Sequence, residues 1–283
     1  MDYVTTNNFS IPAIGFGTFQ LEGIDVVRMV RYVLDLGYRH IDTAQIYDNE
    51  VEVGQGIREA NVPREDIFIT TKVWIDNYSH SKLASSVDKS LTKLDTDYID
   101  LLLLHWPNPG VPLRETLKAL QAVKEAGKTR QIGLSNFTTA LMRKAEAICG
   151  KGVIVNNQIE YHPYLWQDKI IEQAKALDMS ITAYMPLAGG KALKDKTLID
   201  IGAKYNKTPA QISLRWLIQQ GIAVIPSSTK EHHAQQNFDI FDFSLADNDM
   251  TAINALQTNI RIVSPQKLAP NWDTKPSNFK SSN

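Results

Sequence analysis

The sequence predicts an α/β protein whose strands close into a (β/α)8 TIM barrel. Three observations carry that expectation: eight short apolar, β-rich runs recur along 283 residues, amphipathic helical stretches separate them, and no glycine-, serine- or proline-rich linker interrupts the alternation. Strands that alternate with helices build a parallel sheet, because each helix returns the chain to the starting edge and covers a strand on the way. Eight such units need about 250 residues, so the whole chain, 1–283, is expected to be one domain.

Tyr3 to Ile11 comes first and reads as a short hairpin turned by Asn7-Asn8, placed to close the bottom of the barrel. The strands are expected at Ala13 to Gly17, Tyr38 to Asp42, Ile67 to Val73, Tyr98 to His105, Thr129 to Leu134, Ile154 to Gln158, Ser180 to Tyr184 and Ala223 to Ile225. Between them, spacings such as Val26-Val27-Val30-Val33-Leu34 and Leu113-Leu117-Leu120-Val123 put apolar residues on one helix face. Gly37, Gly127 and Gly221 stand where helices should stop, since glycine tolerates the left-handed backbone of a C-cap. The last stretch, 257–283, carries three prolines and Trp272, shows no period, and is expected as a C-terminal loop over the barrel mouth with a frayed tail.

Hydrophobic residues make up 43% and charged residues 22%, an ordinary globular composition, and the net charge is −1 with both signs scattered. No basic stripe points to nucleic acid and no polybasic cluster to a membrane, which leaves a small-molecule substrate as the expected partner. Cys149 is the only cysteine, which excludes an intrachain disulfide and suits a reducing compartment. The amino terminus lacks a basic stretch followed by an apolar core, and no apolar run approaches membrane-spanning length. A soluble, cytoplasmic monomer is expected.

In such a barrel the reactive groups stand at the C-terminal strand ends. Here the second strand delivers Asp42, with Tyr47 just beyond; the third delivers Lys72, the fourth His105. An apolar strand that ends in Lys or His spends a titratable group where a hydrophobe is easier to bury. Together the four suit protonation of a carbonyl oxygen: Lys72 would lower the Tyr47 phenol pKa, Asp42 would hold Lys72 charged, and His105 would donate to the substrate oxygen. Hydride would have to come from a cofactor, since no side chain supplies one. Singly, each has a plainer reading. Asp42-Thr43 could cap a helix with Tyr47 as a packing residue, Lys72 could be an ion-pair or Schiff-base lysine, and His105 a core histidine.

Gly15-Phe16-Gly17 is followed by Gln20 where a dinucleotide fingerprint needs its third glycine, so a Rossmann reading fails. Better cofactor candidates are Ser135-Asn136, Gln158 and Tyr184, whose amides could hold a carboxamide and whose ring could stack on a nicotinamide. Ile225-Pro226-Ser227-Ser228-Thr229-Lys230 opens a helix with hydroxyls and a cation that could meet a phosphate, or could simply be a cap beside a solvated lysine.

The stretches Gly15-Phe16-Gly17-Thr18, Ile41 to Glu50, Leu104-His105-Trp106-Pro107, Ile132 to Phe137, Asn157-Gln158 and Ile225 to Lys230 resemble, in order, the signatures of the aldo-keto reductases. The match spans nearly the whole chain, and Leu268 to Asp273 resembles the B-type bacterial 2,5-diketo-D-gluconate reductases, which also reduce methylglyoxal. The resemblance implies Tyr47 as proton donor, Lys72 and Asp42 as its tuning partners and His105 as the residue that orients the carbonyl. It further implies NADPH extended across the mouth beside Gly17, Thr18 and Asp42. Ser135, Asn136 and Gln158 would hold the carboxamide, and Tyr184 would stack on the nicotinamide. Met185, Pro186, Leu187, Ala188 and Gly189 would follow the pyrophosphate, Ser227, Ser228, Thr229, Lys230 and His233 would surround the 2′-phosphate, and Asn237 would lie near the adenine.

Two positions depart from many relatives: Ser227 stands where a basic residue is common and His233 where an arginine is, so NADH is expected as an acceptable, less preferred cofactor. Met185 also replaces a common serine. Phe19, Trp74, Trp106, Trp272 and His105 are expected around the substrate, an aromatic rim without an anion clamp that suits small dicarbonyls. The rivals are a Schiff-base aldolase using Lys72 and a nicotinamide-sensing subunit on the same fold. No metal is expected, because His232-His233 are adjacent and would point different ways on a helix.

Overall fold

The computed structural model describes residues 2–273. A two-stranded antiparallel hairpin, β1 (Tyr3–Thr5) and β2 (Ser10–Pro12), leads in, with Thr6 N donating to Phe9 O across a turn centred on Asn7-Asn8. Eight parallel strands follow in sequential order: β3 (Phe16–Gly17), β4 (His40–Asp42), β5 (Phe68–Val73), β6 (Ile99–Leu104), β7 (Thr129–Ser135), β8 (Ile154–Glu160), β9 (Ser180–Tyr184) and β10 (Ala223–Val224). The ladder closes on itself, because Gly15 N donates to Val224 O at 2.8 Å, Val224 N to Ala13 O at 2.9 Å and Gly17 N to Pro226 O at 3.0 Å. A Cβ on Gly17 would stand 2.9 Å from the Ile225 carbonyl oxygen, so the seam needs glycine there. All eight expected strands appear, Ser180–Tyr184 with the expected bounds and the others within three residues at either end. The last ten residues of the expected C-terminal tail, 274–283, lie outside the described residues.

Helices cover the outside: α1 (Ile24–Leu36), α2 (Glu50–Glu59), α3 (His80–Leu94), α4 (Leu113–Glu125), α5 (Thr139–Cys149), α6 (Asp168–Ala176), α7 (Lys196–Tyr205), α8 (Pro209–Gln219), α9 (Glu231–Phe238) and α10 (Asp247–Asn254). Their boundaries follow local chemistry. The α1 stripe Val26, Val27, Val30, Val33 and Leu34 is buried, and Gly37 ends the helix at φ 123°. At α8 the Thr208 hydroxyl accepts from Gln211 N, the Gln211 side chain reaches back to Thr208 N, and Pro209 fills the first helical position.

Strand alternation divides the interior into two environments. On β6, Leu102 and Leu104 join the layer between sheet and helices, while Leu101 and Leu103 face inward with Val155, Ala223 and the hairpin's Val4, Phe9 and Ile11. The hairpin therefore stoppers the barrel from below. On β5, Ile69 and Val73 pack outward, which turns Thr70 and Lys72 inward; on β4, Ile41 packs outward, which turns His40 and Asp42 inward. Strand β8 breaks this period. Its pairing with β7 steps from Ile132↔Ile154 to Leu134↔Asn157, so β8 carries one extra residue. Val155 and Asn156 then both face the interior, Asn156 donating to Ser180 and Thr182, and the strand above is rephased: Asn157 turns out to Met142 and Gln158 turns in to Asp42.

Candidate active site

The upper barrel opens into a cleft of about 740 Å3 that runs from Phe19 and Trp74 at one end to Ser227, His233 and Asn237 at the other. Of the four groups expected to do chemistry, Asp42, Tyr47 and His105 are on its wall, and Lys72 sits directly behind. Lys72 Nζ donates to Asp42 Oδ1 at 2.5 Å and to the Thr43 carbonyl at 2.9 Å, and lies 3.4 Å from the Tyr47 hydroxyl. Gln158 Nε2 donates to the other Asp42 oxygen at 2.7 Å. Tyr47 arrives on a short 3-10 turn, Gln45–Tyr47, and its ring meets His105 edge-on at 5.7 Å. The four groups thus converge, as the strand ends suggested.

Their electrostatics correct one expectation. The Tyr47 phenol is raised well above its ordinary pKa, by burial first and by the Asp42 charge second, not lowered by Lys72. Burial also moves Lys72 down and Asp42 up, against the attraction each exerts on the other. His105 is held well below its usual value by burial and then by Lys72, and is neutral. Its Nδ1 is buried without a partner, which leaves Nε2 as the nitrogen the cleft can reach.

Two residues without an assigned role in the sequence reading build the frame. Asn49, buried, accepts from Thr43 Oγ1 and donates to the carbonyls of Thr18 and Leu21, tying the loops after β3 and β4. Gln45 accepts from Trp74 N and Asn77 Nδ2 and donates to Ser86 and Ser90, which fixes the turn carrying Tyr47. Both lie within the stretch that carries the resemblance, but nothing in their residue type distinguishes a brace from a ligand.

The expected cofactor residues mostly line the same cleft: Gly17, Asp42, Ser135, Asn136, Gln158, Tyr184, Met185, Pro186, Leu187, Gly189, Ser227, Ser228, His233 and Asn237. Thr18, Ala188, Thr229 and Lys230 are set back from it; the Thr18 hydroxyl is taken by the Asp42 carbonyl at 3.1 Å. The donor set suits a nicotinamide dinucleotide. Asn136, at φ 65°, donates to the His105 carbonyl and accepts from the Tyr184 hydroxyl at 2.7 Å, which places amide and ring side by side next to Tyr47 and His105. At the far end the Ser228 hydroxyl accepts from Lys230 N at 3.0 Å and donates to the Lys230 carbonyl, which holds the turn into α9. His232 and His233 do not point apart as expected; their rings lie 4.1 Å from each other, and burial, with His232 and Lys230 nearby, lowers the His233 pKa.

Phe19, Trp74 and Trp106 are on the cleft wall, whereas Trp272 stands behind Trp106, its ring 6.2 Å away. The C-terminal segment contributes instead through Val263, Pro265 and Leu268, which the sequence reading left without a role. Among the described residues no helix is long and apolar enough to cross a membrane.

Comparison with known proteins shows the family. The profile of the aldo/keto reductase family matches residues 13–258. The chain is 51% identical over 266 residues to the methylglyoxal reductase DkgB of Salmonella typhimurium, covering 93% of this chain and 100% of that protein. It is 40% identical over 261 residues to the glyoxal reductase of Bacillus subtilis, covering 90% of this chain and 92% of that protein. A crystal structure of a protein assigned as a 2,5-diketo-D-gluconic acid reductase B superposes with a TM-score of 0.91 at 50% identity, over 93% of this chain and 94% of that one. With fold, cleft and sequence in agreement, the chain belongs to the aldo/keto reductase family and is an oxidoreductase of carbonyl groups.

Proposed function

We propose that the protein transfers hydride from NADPH to the carbonyl carbon of small aldehydes and ketones, methylglyoxal and 2,5-diketo-D-gluconate among them, with Tyr47 giving the proton. The observation that carries this reading is the Tyr47 hydroxyl on the cleft wall, 3.4 Å from a lysine that a buried aspartate holds in place. A bound reduced nicotinamide supplies the hydride that the side chains lack. Ser135, Asn136, Gln158 and Tyr184 would hold its ring, with Gly17, Thr18 and Asp42 alongside. Met185, Pro186, Leu187, Ala188 and Gly189 would flank the pyrophosphate, and Ser227, Ser228, Thr229, Lys230, His233 and Asn237 the adenosine end.

In the resting site the raised Tyr47 pKa keeps the phenol protonated. As the substrate oxygen gains charge it becomes an alkoxide, a far stronger base than a phenolate, and takes the Tyr47 proton. The phenolate left behind is stabilised by Lys72, which Asp42 and the Thr43 carbonyl orient. Neutral His105 donates from Nε2 to the same substrate oxygen and aligns the carbonyl with Tyr47. The Phe19, Trp74 and Trp106 wall favours small, weakly polar carbonyls and sheds water from the reacting atoms. A neutral His233 and an uncharged Ser227 support a modest preference for NADPH over NADH. The same reading takes the protein to be a monomer that works in the cytoplasm on metabolite-sized carbonyls.

The test is loss of the reduced nicotinamide absorbance with methylglyoxal and 2,5-diketo-D-gluconate, using NADPH and NADH, for wild type and Tyr47→Phe. We expect turnover with NADPH, and a fall of about 10²–10⁴ in kcat for Tyr47→Phe with cofactor affinity kept, the range for losing a general acid. Cofactor binding without turnover on any carbonyl would support a sensor. Borohydride trapping of substrate on Lys72 without cofactor would support an aldolase.

A further inference from the structure

Glu160 closes β8 two residues beyond Gln158, is fully buried, and takes no part in the chemistry above. Its carboxylate accepts from Ile262 N at 2.7 Å and Val263 N at 2.8 Å, both in the segment that follows α10, and from His162 Nε2 at 3.0 Å. Gln167 completes the clasp: it donates to the Glu160 carbonyl at 2.5 Å and accepts from Arg261 Nη2 at 2.8 Å. Arg261 is 8% exposed, and its guanidinium lies 3.7 Å from the centre of the Trp272 ring, which faces Trp106 on the cleft wall.

Two of the three donors to a fully buried carboxylate thus come from one irregular segment, and Val263 itself, with Pro265 and Leu268 further along, forms cleft wall. Carboxylates bond strongly to N–H groups, and a buried one stripped of donors is costly until water or a proton reaches it. Lifting the segment would strip Glu160 of both amides, so the buried charge opposes opening more than a neutral acceptor would.

We propose that Glu160 is a positioning residue that locks residues 258–268 over the cleft, with Arg261 and Gln167 as the second half of the lock. It thereby sets how tightly the cleft grips the carbonyl substrate without touching it. The effect on substrate rests on the reductase reading; the lock itself does not.

The experiment compares wild type, Glu160→Gln and Arg261→Met in the full chain, by backbone hydrogen exchange and by kinetics with methylglyoxal and 2,5-diketo-D-gluconate. In Glu160→Gln we expect exchange across 258–268 to quicken at least about tenfold, the loss of a charge-assisted pair of bonds, while the strands keep their protection. KM should rise about tenfold for the larger substrate and less for the smaller, with kcat and cofactor affinity within about twofold, because only binding common to ground and transition states is lost. Unchanged exchange in that segment would overturn the lock. A parallel fall in kcat, cofactor affinity and global protection would overturn it too, showing a general structural role. Should Glu160→Gln not fold, Arg261→Met decides by the same exchange reading, with a smaller increase expected and no increase fatal. If wild type turns over no carbonyl, the reductase reading fails while the exchange result still stands for the lock.

Discussion

The two ends of this barrel are made from the same strands and obey opposite rules. At the bottom, Leu101, Leu103, Val155 and Ala223 meet a hairpin stopper of Val4, Phe9 and Ile11. At the mouth, on β4, β5 and β8, the inward positions are Asp42, Lys72 and Gln158. The bottom contributes stability by removing apolar surface from water; the mouth works against burial, as the displaced pKa values of Asp42, Lys72, Tyr47 and His105 show. A strand here is a ruler that sets depth, and depth decides whether a residue holds the fold or does chemistry.

The largest effect that could break this contrast is at the mouth. Lys72→Met leaves Asp42 buried beside Gln158 without its cation, so we expect a loss of about 3–5 kcal/mol in urea unfolding together with loss of turnover. Stability within error of wild type would show that the buried pair is neutral in strength. At the bottom, Ile11→Ala should cost about 2–4 kcal/mol by transfer and cavity, yet leave kcat/KM unchanged well below the melting transition. A drop in kcat/KM would mean that the stopper and the mouth are mechanically coupled.

A smaller effect is titration. Burial, then Lys72, holds His40 down at about 3 and His105 well below its ordinary value. Below about pH 6.5 the unfolded chain takes up protons that the folded chain refuses, so stability should fall as pH falls, by up to about 1.4 kcal/mol per unit per histidine. Asp42 and Glu50, raised by burial, act in the opposite sense nearer the carboxylate range, so the slope is best read by urea midpoints between about pH 7 and 5.5. His105→Gln should remove one histidine's share; an unchanged slope would clear His105 of it. The smallest change is Ser227→Arg, expected to raise the NADPH-to-NADH ratio of kcat/KM about tenfold with no shift in melting temperature, since it adds one cation at an exposed position proposed to face the 2′-phosphate. An unaltered ratio would place the phosphate elsewhere.

Much of this was legible in the residues. The strands were readable because buried parallel strands are apolar on both faces, and Asp42, Lys72 and His105 were readable because each ends such a run. The direction of the Tyr47 pKa was not, because it depends on how completely the ring is enclosed and on its nearness to Asp42, which spacing does not give. Glu160 and Arg261 were missed for a related reason: Glu160 accepts from the amides of Ile262 and Val263, and Arg261 donates to Gln167, each from about a hundred residues away, a pairing that spacing does not give, and main-chain amides carry no side-chain signature. His232 and His233 defeated the simple helix rule, their rings converging within one turn of α9.

The extra residue in β8 bears on how such a strand can change. Below it, β8 keeps step with β7; above it, the count is offset by one, so the two halves of the strand are separate clauses with their own parity. Losing Asn156 alone would remove the bulge and leave plain alternation, Ile154 out, Val155 in, Asn157 out and Gln158 in, so the upper clause would keep its faces and only the Asn156 bonds to Ser180 and Thr182 would go. A deletion at the bulge thus costs one inward side chain, whereas a second one, with no extra residue left to absorb it, would turn every contact downstream to Glu160 to the other face. In that strand the extra residue is where length can give.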